Sequence, residues 1–316
     1  MLRTHEPAPP RNCVLDTSGL GDHDPAIMRI ATPLLILFAF FHPSTILRAE
    51  KPLMTLSPEI HAKALGILRE GLVISDPAQF WVTMHAAEGL TLGGYGAEII
   101  PLLEPKLATE RDGQRLCGIA RELVRAGERQ HVAVLTEVLK REDSYAHTHA
   151  AESLYKVVEL GDEAVMRERF EKGGEIKLRL MAAGALARKG DEKALAYIRE
   201  CRDGKDPDGL QISAWLLGIL GDQSDIEPLR QRLDDAPTPL IRGYVVNALA
   251  CLGDPEGLEQ MARDLDSEDP AIRTYAATFA GDAKAVSTQA KLEAMLNDSF
   301  ADARVRAAQT LLQLSR

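Results

Sequence analysis

The stretch HTHAAESL, His147 to Leu154, sets two histidines and a glutamate within one or two helical turns, and HAAE also occurs at His85 to Glu88. Imidazole and carboxylate are the donors of zinc and non-haem iron sites, and residues three apart share one face of a helix. Two candidate pairs therefore stand in the chain, His85 with Glu88 and His149 with Glu152, together with a local trio of His147, His149 and Glu152. Whether any of them does chemistry depends on the elements that carry them.

Those elements repeat. Small-residue anchors fall at Ala86, Ile119, Ala150, Ala182, Ser213, Val245, Ala276 and Ala307, 31 to 33 residues apart. The next residue is alanine in every unit except at Val246, and the fourth residue on is leucine in every unit except at Ala280. Small, small and leucine at helical spacing let one helix lie close against its neighbours. Eight residues past the anchor, Gly94, Gly127, Gly190, Gly221 and Gly253 supply helix C-caps, and Asp191, Asp222 or Asp254 follows as the N-cap of a second helix. Gly161 comes three residues late and Gly281 three early, which predicts first helices longer or shorter by nearly a turn in those units.

The second helices, such as DIEPLRQRL and GLEQMARDL, place Ile226, Leu229 and Leu233, then Leu258, Met261 and Leu265, on one stripe. A lone hairpin of this kind cannot bury that stripe, so the units must stack into an all-α superhelix of about eight helical hairpins. SPEIHAKALGILREGL, opened by Ser57 and Pro58, reads as an N-terminal capping helix, and the last unit ends at Arg316 after its first helix.

From Ser57 to Arg316 the chain resembles the HEAT-like repeat proteins of the phycobiliprotein-lyase type, on stretches such as LMAAGALARKGDEKALAYI, SAWLLGILGDQSDIEPL and IRGYVVNALACLGDPEGLEQM. The resemblance implies a curved stack whose second helices line the concave face. On that expectation the binding surface comprises Glu168, Glu200, Gln231 and Arg263, flanked by Glu227 and Glu259, a mixed and mostly acidic face suited to a protein or peptide partner. Among HEAT-like proteins the deoxyhypusine hydroxylases hold two irons with adjacent His-Glu pairs on neighbouring repeats; here two alanines separate each pair.

The columns argue against a metal. The histidine column reads His85, Gly118, His149, Met181, Ile212, Tyr244, Tyr275 and Arg306, which suits packing. The glutamate column reads Glu88, Arg121, Glu152, Gly184, Trp215, Asn247, Thr278 and Gln309, which suits a surface. The two HAAE motifs lie two repeats apart, roughly 20 Å at ordinary helix spacing, too far for one ion. His147 and His149 diverge on a helix, so His147 joins the local trio only if it still lies in the preceding turn. No cofactor is expected.

A net charge of −10 opposes binding to nucleic acid or to an anionic lipid surface, and no basic stripe with interleaved aromatics is present. Nothing resembles GxSxG, and LGGYG, at Leu92 to Gly96, follows a helix and reads as a turn. Cys117, Cys201 and Cys251 have neither zinc nor disulfide spacing and suit the core. Arg179, Arg242, Arg273 and Arg304, each three residues before an anchor, are expected to pair with the aspartates of neighbouring turns.

Residues 1–27, rich in proline, glycine and aspartate, read as disordered or as lying upstream of a start at Met28. Residues 28–49 have the layout of a signal peptide, with cleavage after Ala49. The alternative is a membrane anchor formed by residues 30–41, although about 12 apolar residues fall short of the roughly 20 that span a bilayer. Residues 50–316 then form the solenoid. The function expected from all this is a non-catalytic protein-protein interaction scaffold exported to the periplasm or cell envelope, with an accessory subunit or module of an enzyme or transporter, lyase-type or metal-dependent hydroxylase-like, as the alternative.

Overall fold

A computed structural model describes residues 53–316, so the calls on residues 1–27, on the signal peptide at 28–49 and on the apolar stretch 30–41 lie outside the described residues. The described chain is all-α. The first eight helices are α1 (Pro58–Leu72), α2 (Phe80–Leu92), α3 (Ile100–Thr109), α4 (Gly113–Arg125), α5 (Val132–Lys140), α6 (His147–Lys156), α7 (Glu163–Lys172) and α8 (Ile176–Ala187). The second eight are α9 (Glu192–Asp203), α10 (Pro207–Leu220), α11 (Ile226–Gln231), α12 (Pro239–Cys251), α13 (Pro255–Asp264), α14 (Pro270–Asp282), α15 (Gln289–Met295) and α16 (Ala301–Leu314). None of them is long and apolar enough to cross a membrane.

The even-numbered helices carry the anchors. Each packs on the next along the series α2, α4, α6 through α16, and α16 then packs against α2, which closes an inner ring of eight helices. The odd-numbered helices form an outer layer against them. Close approach is possible because the anchor residues are small and wholly buried: Ala86, Ala150, Ala182, Ala276 and Ala307 have no exposed surface. Leu90, Leu123, Leu154, Leu217 and Leu311, four residues on, fill the space between the layers and are equally buried.

Closure revises the expectation of a capping helix. Ser57 does accept the Ile60 N–H at 3.2 Å and start α1, but α1 packs on α16 as well as on α2. It thus serves as the outer helix that the final unit lacks, and the two ends of the described segment meet where the Met54 N–H donates to the Leu314 carbonyl at 2.9 Å. Residues from both ends, including Leu68, Leu90, Leu311 and Leu312, share one apolar cluster.

The aspartates that follow the first helices cap the second helices as expected and also take a cation from the preceding outer helix. Asp191 accepts the Ala194 N–H at 3.0 Å and meets Arg167 at 2.7 Å; Asp162 pairs with Lys140 at 3.0 Å, Asp222 with Arg199 at 3.0 Å, and Asp254 with Arg230. This outer-helix ladder replaces most of the expected inner one. Arg273 meets Asp298 at 2.8 Å, whereas Arg179 donates to the Phe170 carbonyl and Arg304 to the Asp298 and Ser299 carbonyls.

The helix ends also differ from expectation. Gly94, Gly127, Gly190 and Gly253 adopt positive φ, but so do Val158 (59°) and Lys284 (52°), which occupy the same cap position in the two units where glycine is displaced. Helices α6 and α14 therefore stop in register, because the left-handed turn is set by packing of the next helix rather than by where glycine falls. A β-branched residue in this conformation costs roughly 1–2 kcal/mol. Val158 is exposed, so Val158→Gly is expected to raise stability by about 1 kcal/mol, measurable as a higher urea midpoint.

Candidate functional site

Three positions of the inner helices recur at the ring's centre, with each helix contributing one or more of them: the residue before the anchor, the second after it and the sixth after it, an i, i+3, i+7 stripe. They line a central cavity of about 660 Å³. The histidine and glutamate columns supply His85, Glu88, Glu152, Trp215, Tyr244 and Arg306. The sixth position, which sequence reasoning passed over, adds Arg125, Lys156, Arg188 and Asp282. The columns read as packing and as surface are thus cavity walls. Their mixture of glycine, aromatic and charged residues is the signal that could have shown it, since neither a packed seam nor a solvated face demands such variety. Gly118 interrupts the histidine column because Trp81 of α2 lies there: a Cβ on Gly118 would stand 3.1 Å from its ring.

The walls are polarised. Arg125, Lys156 and Arg188 end the neighbouring helices α4, α6 and α8, where cations also suit the negative end of a helix dipole. Trp215, Tyr244, Tyr275 and Phe279 cover α10, α12 and α14, with the Tyr244 and Tyr275 rings 4.9 Å apart. Lys156 lies 5.1 Å over the Trp215 ring and pairs with Glu152 at 2.8 Å. Burial would lift the Glu152 carboxyl, but Lys156 and Arg121 outweigh it and hold the group at about 2.

The ring's seam is also polar. His85 Nδ1 lies 2.7 Å from Asp302 Oδ1, and Glu88 reaches Arg306 at 2.8 Å and Arg125 at 3.0 Å. Burial opposes ionisation of Glu88, yet Arg125 and Arg306 keep its carboxyl well below the usual range. Burial, then Arg306, pushes the His85 imidazole below its ordinary value. It is therefore largely neutral at pH 7, donating from Nδ1 to Asp302, with no protein partner for Nε2 among the described residues.

Asp282 is different. Its side chain is open to water in the cavity, but the surrounding protein and then Glu88 raise its carboxyl to about 6, against the pull of Arg306, Lys156 and Arg188. Between its ordinary value near 4 and about 6 the native state binds the extra proton, so this contribution to stability is present at low pH and lost as pH rises through 6. Asp282→Asn is expected to remove that loss. Melting temperatures of the two proteins compared from pH 4.5 to 7.5 should diverge in favour of the variant as pH rises.

The candidate metal ligands are not brought together. His147 is buried with Nε2 2.9 Å from the Arg141 carbonyl, His149 stacks on Trp81 at 5.4 Å, and Glu152 is held by Lys156. His85 and Glu88 are likewise committed, to Asp302 and to two arginines. Among the described residues no group of three His, Cys, Asp or Glu side chains is placed to hold an ion. The donor set does not fit a di-iron or zinc centre.

The second-helix residues Glu168, Glu200, Gln231, Arg263, Glu227 and Glu259 are all exposed on α7, α9, α11 and α13, and none lines the cavity. The concave face belongs to the first helices instead. Small anchor residues allow a tighter inner layer, so the chain curves toward it.

The family model for HEAT repeats matches residues 164–249 and 226–313. Among solved structures, human deoxyhypusine hydroxylase in complex with glycerol is similar in fold, at 17% identity and a TM-score of 0.40, over 81% of this chain and 97% of that one. No curated protein matches the chain. The expectation of an exported, non-catalytic scaffold is corrected here: the concavity meant for a partner protein is a closed ring of first helices around a charged cavity.

Proposed function

Because the chain is a HEAT-repeat protein whose repeats close on themselves, we propose that it handles a small molecule in the central cavity, as an enzyme or as the ligand-binding subunit of one. One observation carries the reading: all eight inner helices turn charged or aromatic side chains toward a shared space that the fold has no need to furnish. Its volume falls among ordinary small-molecule sites, and aromatic walls with a few polar anchors are their usual lining. Enzymatic use is favoured by the His85–Asp302 pair, in which a carboxylate fixes the tautomer of a neutral imidazole and leaves Nε2 as a proton acceptor. The outer helices would remain free to dock a catalytic partner if the chain is an accessory subunit.

Thermal melting of the full chain against a panel of small carboxylates, amines, amino acids and sugars tests the proposal. At least one chemical class should raise the melting temperature, and Thr278→Trp, which fills the cavity from α14, should abolish that rise. If no class acts, or if the rise persists unchanged in the filled variant, the cavity is not the site.

A further inference from the structure

The cavity reading can be taken further through the groups in it that have no partner. Most of its charges are satisfied within the protein: Glu152 by Lys156, Glu88 by Arg125 and Arg306, and Asp302 by His85. Two are not. Arg188 at the end of α8 has no carboxylate within ion-pair distance among the described residues; it donates to the Tyr155 carbonyl at 2.9 Å and lies 4.8 Å from that ring's centre. Asp282 on α14 forms neither an ion pair nor a hydrogen bond among the described residues. Beside Arg188, Tyr155 lines the cavity, is only 2% exposed, and its hydroxyl has no partner among the described residues. A buried hydroxyl without a partner is destabilising, and a bound polar group would satisfy it.

The positions of these groups define a shape. Arg188 and Asp282 hold the same place in their repeats, the sixth residue past the anchor, and both line the cavity. Their helices stand three apart in a ring of eight, nearly opposite. Trp215 and Tyr244, on α10 and α12, cover the wall between them. A cationic anchor with a hydroxyl, an aromatic wall and an anionic anchor thus follow one another along one arc of the lumen.

We propose, resting on the cavity reading above, that the ligand is a small amphoteric molecule with charges at opposite ends: an anionic group held by Arg188 and Tyr155, an ammonium held by Asp282, and an apolar body along Trp215 and Tyr244. A ligand bearing one charge would leave the opposing anchor unpaired. A large polyanion is excluded by Glu88, Glu152, Asp282 and Asp302, and a polycation by Arg125, Lys156, Arg188 and Arg306.

Titration calorimetry of the full chain with 4-(aminomethyl)benzoate, 4-methylbenzoate and 4-methylbenzylamine tests this, since the three differ only in which end is charged. The two-ended compound should bind most tightly, and loss of either charge-assisted contact should weaken binding by about tenfold or more. Arg188→Gln should remove the advantage over 4-methylbenzylamine, and Asp282→Asn the advantage over 4-methylbenzoate, with unchanged circular dichroism showing that the ring still forms. Equal binding of a one-ended compound, no binding of the two-ended one, or indifference of both variants would overturn the proposal. Binding of a one-ended compound that Thr278→Trp abolishes would overturn it while leaving the cavity reading intact.

Discussion

Glu88→Ala is expected to lower folding stability by about 3 kcal/mol, and up to about 5, because it strands a buried guanidinium. Among the described residues Glu88 is the sole carboxylate paired with Arg306, which is 6% exposed and otherwise bonds Gln309. Arg125 retains Glu122 and loses less. The effect should exceed that of an ordinary surface pair, worth at most about 1 kcal/mol, because both side chains are about nine-tenths buried and little water reaches the stranded guanidinium. Urea unfolding followed by circular dichroism measures it. A second substitution separates stranding from simple loss of contact: Glu88→Ala with Arg306→Met should cost less than the two single changes added together. Additive costs, or a Glu88→Ala loss below about 1 kcal/mol, would mean that the α2–α16 seam is wetter than its burial implies.

Leu311→Ala on α16 is expected to cost roughly 2–5 kcal/mol, the range for emptying a leucine site in a packed core. Leu311 has no exposed surface and belongs to the cluster shared by the first and last described helices. The informative contrast lies within the protein, where the equivalent position one repeat earlier is Ala280, also wholly buried. There the neighbouring helices have settled around the smaller side chain; at Leu311 they have not, and a cavity would remain. In an open solenoid the last helix would fray separately. In a closed ring the loss should instead appear as one cooperative transition at lower denaturant, with an unchanged slope. A separate early transition would argue against closure.

Much of the fold was legible because helical hairpins are written in local terms. The anchors, the leucines four residues on and the capping aspartates appear at fixed offsets, and each offset corresponds to a contact made within a unit or with its immediate neighbour. Cap positions were less legible. Val158 and Lys284 take the left-handed turn despite their side chains, because the neighbouring helix dictates where α6 and α14 must stop. The candidate site was legible only in its composition. His85, Glu88, His149 and Glu152 were singled out for metal chemistry they do not share, while Arg188 and Asp282 drew no notice, being ordinary helix-end residues until the ring places them in one space.

The sequence by itself determined that the chain is a stack of about eight helical hairpins with a close-packed first-helix layer, since periodicity and residue size specify nearest-neighbour packing. Only the tertiary structure decided that the stack closes, that α1 completes the unit begun by α16, and that first helices face inward. Curvature is the sum of small rotations over eight units, and no local pattern encodes whether that sum returns the last helix to the first.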